Sequence, residues 1–371
     1  IDYIKLLRKW WPEYLPKKGP DDKHHVAVVK LVSLGDCTIC TGLMKKIRVK
    51  YPQSYITLYT TTMYDDIFNG NPYIDEIKTI GPVDKNLFGP QWSLMLYDAV
   101  TFNIANTEQW DVIIELNQQD HWMEYRREGC SLLQSYANMI DIQTDDDLYD
   151  VYTDESNDKA AGAIDAQIPG DGPLVLMHTT AGWNLKEWTK EGFDEIAKRL
   201  TETYGARVFV LGASANEKLG STYARDIGGT LSLRDQVSLM KRAKLFIGCD
   251  SGPLHMAKCA PDCRLLALFG CTAPNVVGFN GVKNFIALQS AYCGKVNCGS
   301  VVCLMNEEAK AKKQPEYTPC MVRLDVEDVW IAAQKLMDDD NVKEYRKGKN
   351  LCETYFENSE WRTRLLTGSD P

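Results

Sequence analysis

The sequence contains no long apolar run and no concentration of basic charge. No segment approaches the roughly 20 apolar residues that a membrane-spanning helix needs. The 51 Asp and Glu residues outnumber the 42 Lys and Arg residues, and the two signs are interspersed. Phosphate binding needs a concentrated basic surface, so nucleic acid is not expected among the partners. Internal repeats and low-complexity tracts are also missing.

The composition is that of a globular protein, with 44% hydrophobic and 25% charged residues. At 371 residues the chain is long enough for two domains of ordinary size. Segment 1–15 is amphipathic but carries five charged side chains, which is unlike a secretory signal. Its Trp10-Trp11 pair fits docking on the protein body, the commoner outcome, or peripheral contact with a membrane.

The twelve cysteines are not distributed like a disulfide framework. Eight scatter through apparent strands and helices, and the other four cluster late, at Cys293, Cys298, Cys303 and Cys320. Scattered thiols with one cluster indicate reduced cysteines and a reducing compartment, the cytoplasm. Four thiolates can close a tetrahedral shell around zinc or iron. The alternative is four free thiols, but the polar loop cannot bury them in a core, and this favours a structural metal.

Apolar runs alternate with amphipathic stretches, which is the pattern of βα units around a parallel sheet. The first half predicts strands at 25–32, 55–59, 77–80 and 112–116. The second half predicts strands at 174–178, 207–211, 245–249 and 265–269.

A change in composition separates the two series of strands. Residues 145–172 are rich in Asp and small residues, and their last part predicts a domain linker. The sequence therefore predicts an α/β protein with two Rossmann-like doubly wound domains facing across a cleft, at 1–168 and 169–337, followed by a helical tail at 338–371. Ligands bind in clefts of this kind.

The turn Ser33-Leu34-Gly35-Asp36 follows the first predicted strand. Gly35 lets the backbone turn sharply or approach a ligand. Asp36 lies at the carboxyl end of the strand, where doubly wound folds place their sites. Ser33 and Asp36 also have the spacing of a capping box, and the turn alone favours that interpretation. The two interpretations are compatible, because a capping carboxylate can still face a ligand.

A second turn, Asp250-Ser251-Gly252-Pro253, ends a predicted strand and begins a helix. Helix starts bind phosphates because their first amide groups lack partners and the helix dipole favours negative charge. His255 is expected on the first turn, near a bound diphosphate. The alternative is an ordinary turn with Asp250 as the N-cap and Pro near the first helical position.

A third motif is His178-Thr179-Thr180, followed by Lys186. Two hydroxyls and an ammonium after a strand suit an anionic group. The alternative for Lys186 is a solvated surface lysine, and its position in a loop after a buried strand makes the two interpretations equally good.

Together these motifs resemble glycosyltransferase family nine, the ADP-heptose:lipopolysaccharide heptosyltransferases, over most of 26–337. The most specific pieces are Lys30-Leu-Val-Ser-Leu-Gly-Asp36, Gly248-Cys-Asp-Ser-Gly-Pro-Leu-His255, and Ala267-Leu-Phe-Gly270 leading into Thr272-Ala-Pro274. Further matches are Asn69-Gly-Asn-Pro-Tyr-Ile-Asp75, Gly229-Thr-Leu-Ser-Leu233 and Pro319-Cys320-Met321.

The resemblance implies a GT-B fold, in which the first domain binds the acceptor and the second binds a nucleotide sugar. It also implies inverting transfer with no cofactor or metal in the chemistry. Asp36 corresponds to the general base of the family, and Lys186 to a residue that contacts the leaving diphosphate. The other implied donor contacts are Thr179, Thr180, Asp250, Ser251, Gly252, His255, Leu231 at the adenine and Glu217 near the ribose.

The family's donor is ADP-heptose and its default acceptor is lipopolysaccharide. Residues 117–129, on the acceptor side, depart from the family pattern, so other glycan, lipid-linked or protein acceptors stay open. Two other functions also stay open: a sugar-nucleotide epimerase of related fold, and an inactive scaffold that binds nucleotide sugar. The presence of Asp36, Lys186 and His255 argues against the scaffold.

Overall fold

The computed structural model describes residues 24–81, 99–106, 110–117, 131–144, 146–214, 221–272, 274, 281–289, 317–340, 342–347, 352–357 and 360–365. Trp10-Trp11, most of 117–129, Glu217, Cys293, Cys298 and Cys303 lie outside these residues. The chain forms two compact units. Unit 1 comprises Ile1–Tyr152 with Asn275–Asn280, and unit 2 comprises Thr153–Pro274 with Gly281–Pro371.

Unit 1 contains a four-stranded parallel sheet in the order β3-β2-β1-β4. The strands are β1 (His25–Val29), β2 (Tyr55–Thr61), β3 (Glu76–Ile80) and β4 (Val112–Glu115). The helices are α1 (Leu34–Lys50) and α2 (Leu132–Met139), with a helical stretch at 99–106 and a 3-10 turn at Asp65–Phe68. Four consecutive residues of β1 are fully buried, as expected for a parallel strand covered on both faces.

Unit 2 contains a nine-stranded sheet in the order β13-β12-β11-β10-β9-β8-β5-β6-β7. Its strands are β5 (Leu174–His178), β6 (Arg207–Leu211), β7 (Ala224–Asp226), β8 (Leu245–Cys249), β9 (Arg264–Phe269), β10 (Phe285–Gln289), β11 (Lys343–Lys347), β12 (Cys352–Glu357) and β13 (Glu360–Leu365). All pairs are parallel except β11–β12 and β12–β13.

The helices of unit 2 flank this sheet. They are α3 (Glu155–Asp165), α4 (Lys190–Tyr204), α5 (Leu233–Arg242), α6 (Gly252–Ala257), α7 (Pro319–Val322) and α8 (Val326–Asp338), with a 3-10 turn at Asn184–Lys186. Phe193, Ile196 and Leu200 of α4 pack with residues of β5 and β6 in one buried cluster. Among the described residues, no helix has both the length and the apolar character to span a membrane.

The boundary between the units lies earlier than the sequence predicted. It falls between Tyr152 and Thr153, so α3, which the sequence placed in the first domain, belongs to unit 2. Polar contacts to α5 hold it there: Asn157 Nδ2 donates to Asp235 Oδ1 at 2.7 Å, and Arg234 pairs with Asp154 at 2.9 Å. Asp154 and Asn157, polar residues of the Asp-rich segment, thus make contacts within unit 2.

The predicted helical tail is also corrected, because β11, β12 and β13 occupy most of 343–365. Aromatic and β-branched residues, which favour strands, are frequent in this segment. The main prediction, an α/β protein built from two units with parallel sheets, is confirmed.

Candidate functional site

Asp36 lies in the first turn of α1, directly after the carboxyl end of β1. Ser33 is the N-cap residue, and both its hydroxyl (2.8 Å) and its backbone N–H (3.3 Å) donate to Asp36 Oδ2. The capping interpretation therefore holds for Oδ2. Within the described ranges, Oδ1 has no hydrogen-bond partner, and the residue is half-buried. One carboxylate can thus cap the helix and still accept a proton on its second oxygen.

A buried lysine lies behind this carboxylate. Lys30 is 2% exposed, and its Nζ donates to the Leu116 carbonyl at 3.0 Å and to the Tyr136 hydroxyl at 3.4 Å. Burial by itself lowers the pKa of Lys30, but nearby Asp36 and other acidic groups outweigh it and raise the pKa. The ammonium therefore stays charged beside the candidate base.

Glu115, at the end of β4, is a second buried acid near Lys30. Its Oε1 accepts the Asn117 backbone N–H at 2.5 Å, and burial raises the pKa of the Glu115 carboxyl. Neither Lys30 nor Glu115 was predicted as a site residue from the sequence. The sequence signal that could have found them is a charged residue at the end of an apolar strand.

In unit 2, the Lys186 loop and the Asp250 turn meet. Lys186 Nζ lies 2.8 Å from Asp250 Oδ2, and His255 Nε2 lies 3.6 Å from Asp250 Oδ1. The Lys186 ammonium also lies 4.8 Å from the centroid of the Trp183 ring. The side chain of Lys186 is 16% exposed. Lys186 is therefore not a solvated surface residue.

The electrostatics of Asp250 follow from this arrangement. Burial alone would raise the pKa of its carboxyl, but the charges and hydrogen bonds of Lys186 and His255 hold the pKa well below its usual range. Asp250 is thus an ionised carboxylate that fixes a lysine and a histidine at the carboxyl end of β8.

Hydroxyl groups lie around the same strand ends. Ser251 is the N-cap residue of α6, and its Oγ lies 3.1 Å from His178 Nδ1. Thr180 Oγ1 lies 3.5 Å from His178 Nε2. Thr179 is 2% exposed, and its Oγ1 has no hydrogen-bond partner among the described residues. A buried hydroxyl without a partner is costly, and a bound polar ligand would satisfy it.

Two further predicted donor contacts, Gly252 and Leu231, lie at or just before the start of a helix. Gly252 begins α6, with Pro253 next to it in the first turn. Leu231 lies just before α5, and its carbonyl accepts from Gln236 Nε2 at 3.3 Å.

The last cysteine of the cluster lies close to the Lys186 loop. Cys320 Sγ is 3.1 Å from Thr318 Oγ1, and the same hydroxyl donates to the Leu185 carbonyl at 3.0 Å. Trp188 Nε1 also donates to the Leu324 carbonyl at 3.0 Å. The described residues contain no group of three or more side chains placed to hold a metal.

Several known structures of similar fold are glycosyltransferases. A family 9 glycosyltransferase from Veillonella parvula is 18% identical, with 85% of this chain and 97% of that chain covered and a TM-score of 0.60. ADP-heptose lipopolysaccharide heptosyltransferase II from Escherichia coli is 14% identical, with 84% and 98% covered and a TM-score of 0.60.

A third similar structure is the iron-containing dodecameric glycosyltransferase TibC from enterotoxigenic Escherichia coli. It is 17% identical, with 86% of this chain and 77% of that chain covered and a TM-score of 0.59. TibC has also been solved in complex with ADP-D-β-D-heptose, and that structure gives a TM-score of 0.57 at 16% identity. No curated protein sequence matches the chain.

The family model of glycosyltransferase family 9 (heptosyltransferase) matches residues 106–306, more than half of the chain. The chain belongs to this family of glycosyltransferases. The family resemblance and the fold class predicted from the sequence are confirmed.

Proposed function

We propose that the protein is an inverting glycosyltransferase that moves a heptose from ADP-heptose to a hydroxyl group of an acceptor. The observation that carries the proposal is the Lys186–Asp250–His255 cluster, which fixes a cation at the carboxyl end of β8. The buried hydroxyl of Thr179, directly after β5, has no partner among the described residues. The nature of the donor is supported by the complex of TibC with ADP-D-β-D-heptose. For the acceptor we propose a glycan, with lipopolysaccharide first, because heptosyltransferase II has that acceptor in its name.

In this mechanism Asp36 removes the proton from the acceptor hydroxyl as the new glycosidic bond forms. General-base catalysis of this kind contributes about 10²–10⁴-fold. Lys186, the threonine hydroxyls and the start of α6 stabilise the negative charge on the departing diphosphate. Inversion follows if the acceptor attacks the face of the anomeric carbon opposite the leaving diphosphate.

A nucleotide screen tests the donor. We expect ADP to raise the melting temperature by a few degrees and GDP and UDP to do so less, because a ligand at 100 times its Kd stabilises by about 2.7 kcal/mol. ADP-heptose with a lipopolysaccharide acceptor should then give product of inverted anomeric configuration. Donor conversion without any acceptor would instead indicate an epimerase, and binding without turnover on any acceptor would indicate a scaffold.

We further propose that Cys293, Cys298, Cys303 and Cys320 hold one structural zinc or iron. Cys320 fits a ligand role, because it is a partly exposed thiol at the start of α7. TibC is an iron-containing relative in fold. A closed four-thiolate shell leaves no position for substrate, so the metal would act on folding rather than on sugar transfer.

Elemental analysis tests this site. Protein purified without chelator should carry about one zinc or iron per chain, as expected for one closed four-thiolate site. Cys320→Ser should lower the metal content, whereas Cys263→Ser, at a buried free thiol of unit 2, should not. Four titratable thiols in the cluster without metal, or two intact disulfides, would contradict the proposal.

We also assign the protein to the cytoplasm. The described part of the chain contains six buried cysteines outside disulfides, at Cys37, Cys40, Cys249, Cys259, Cys263 and Cys271. Free thiols in this number support a reducing compartment.

A further inference from the structure

We propose that Glu187 is a positioning residue of the donor site, whose carboxylate closes the loop that presents Thr179, Thr180 and Lys186. This loop comprises residues 179–189, between β5 and α4. The inference deepens the proposed function and rests on it, because it takes the anion held by the loop to be the diphosphate of the donor.

A single hydrogen bond connects the two sides of this loop. The Ala181 backbone N–H donates to Glu187 Oε1 at 2.9 Å. Ala181 directly follows Thr180, and Glu187 directly follows Lys186. The contact therefore joins the neighbour of a threonine hydroxyl to the neighbour of the ammonium. It restrains the spacing between these two groups, which are the ones proposed to contact the same diphosphate.

The second side of the loop is anchored in the body of unit 2. The Leu185 carbonyl accepts from Thr318 Oγ1 at 3.0 Å, and the Trp188 backbone N–H donates to Cys249 Sγ at 3.3 Å. Trp188 is 1% exposed and belongs to the hydrophobic core. Through the carboxylate of Glu187, this anchored side also restrains the backbone that follows the threonines.

The hydrogen bond depends on the reach of Glu187 more than on its charge. Burial raises the pKa of this carboxyl, against the opposing effects of the Ala181 N–H and of Lys190. A protonated carboxyl keeps an oxygen that can accept a hydrogen bond, so protonation weakens the contact without removing it. An uncharged side chain of the same length should therefore serve equally well.

The alternative is that Glu187 acts only on the start of α4. It lies two residues before Thr189, the N-cap residue of this helix. A negative charge at that place interacts favourably with the helix dipole. In that case the charge would matter and the reach would not, and donor binding would not respond to the length of the side chain.

Three variants separate reach from charge. Glu187→Gln keeps an acceptor oxygen at the same distance and loses the charge. Glu187→Asp keeps the charge, but its carboxylate is one carbon–carbon bond shorter and falls short of the Ala181 N–H. Glu187→Ala loses both.

ADP titration and transfer kinetics of these variants test the role in donor binding. A loop already held in its bound conformation loses less freedom when the ligand binds. We expect Glu187→Gln to stay near wild type. Glu187→Asp and Glu187→Ala should bind ADP about tenfold more weakly and show a raised donor KM with little change in kcat. Affinity lost in Glu187→Gln but kept in Glu187→Asp, or a lower melting temperature with unchanged affinity, would overturn the proposal.

Amide hydrogen exchange at Ala181 tests the closing contact without any nucleotide. In the full-length protein we expect slow exchange in wild type and Glu187→Gln, and about tenfold faster exchange in Glu187→Asp and Glu187→Ala. Exchange as fast in wild type as in Glu187→Ala would overturn the proposal. A wild type that protects the Ala181 amide but does not bind ADP would instead overturn the proposed function.

Discussion

Replacing Asp36 by Asn should abolish sugar transfer while ADP binding and folding stay close to wild type. The Asn side chain has the same shape, and its oxygen still accepts from Ser33, so the start of α1 stays capped. It cannot take a proton from an acceptor hydroxyl, so we expect a loss of about 10²–10⁴-fold in kcat. Steady-state transfer kinetics, ADP titration and thermal unfolding measure the three quantities.

Ser33→Ala is the matched control for Asp36. It removes the hydroxyl that donates to Asp36 Oδ2 and leaves the carboxylate in place. We expect a stability loss of about 1 kcal/mol, typical of a lost cap, with transfer largely retained. Wild-type turnover in Asp36→Asn would mean that Asp36 is only a capping residue.

Lys186→Ala should lower the stability of the fold more than Asp36→Asn or Ser33→Ala does. It should also lower the donor affinity and the rate of sugar transfer. The substitution leaves the Asp250 carboxylate, 5% exposed, without its ammonium partner. Breaking a buried pair on one side costs about 3–5 kcal/mol. It also removes the cation proposed to contact the diphosphate. Thermal unfolding with and without ADP, and transfer rates, measure these effects.

A double variant separates the two roles of Lys186. Adding Asp250→Asn removes the orphaned charge, so stability should partly return while ADP affinity and transfer stay low. Unchanged donor affinity and rate in Lys186→Ala would contradict the diphosphate contact.

The same pair predicts how stability depends on pH. The pKa of Asp250 is lower in the folded state than in the unfolded chain, so its contribution is complete above the unfolded value, about 4, and declines as the pH falls below it. The double variant should lack this part of the acid sensitivity.

The central strands could be predicted from the sequence because each is buried on both faces. A strand of this kind is a short continuous apolar run, as in β1, β5 and β8. Helix α3 was not predicted, because it buries only two apolar side chains, those of Ala161 and Ile164, and its named contacts with α5 are a hydrogen bond and an ion pair. Such contacts depend on the partner and leave no periodic apolar signal.

The individual residues of the site could be predicted from the sequence more readily than the ion pairs and hydrogen bonds between them. Asp36, Lys186 and Asp250 stand in recognisable turns after strands. The Lys186–Asp250 pair joins residues 64 positions apart, and they meet because β5 and β8 are neighbours in the sheet. His178 stands within a predicted motif, but its link to Ser251 depends on the same pairing.

The contacts of Thr318 and Trp188 have a consequence for how the sequence can change over evolution. The Lys186 loop and segment 317–324 are joined at two backbone carbonyls, those of Leu185 and Leu324. An insertion in the loop would shift the Leu185 carbonyl away from Thr318, and a deletion near Cys320 would do the same from the other side. Relatives that alter the length of one segment should therefore carry a compensating change in the other, so the two segments should evolve as a pair.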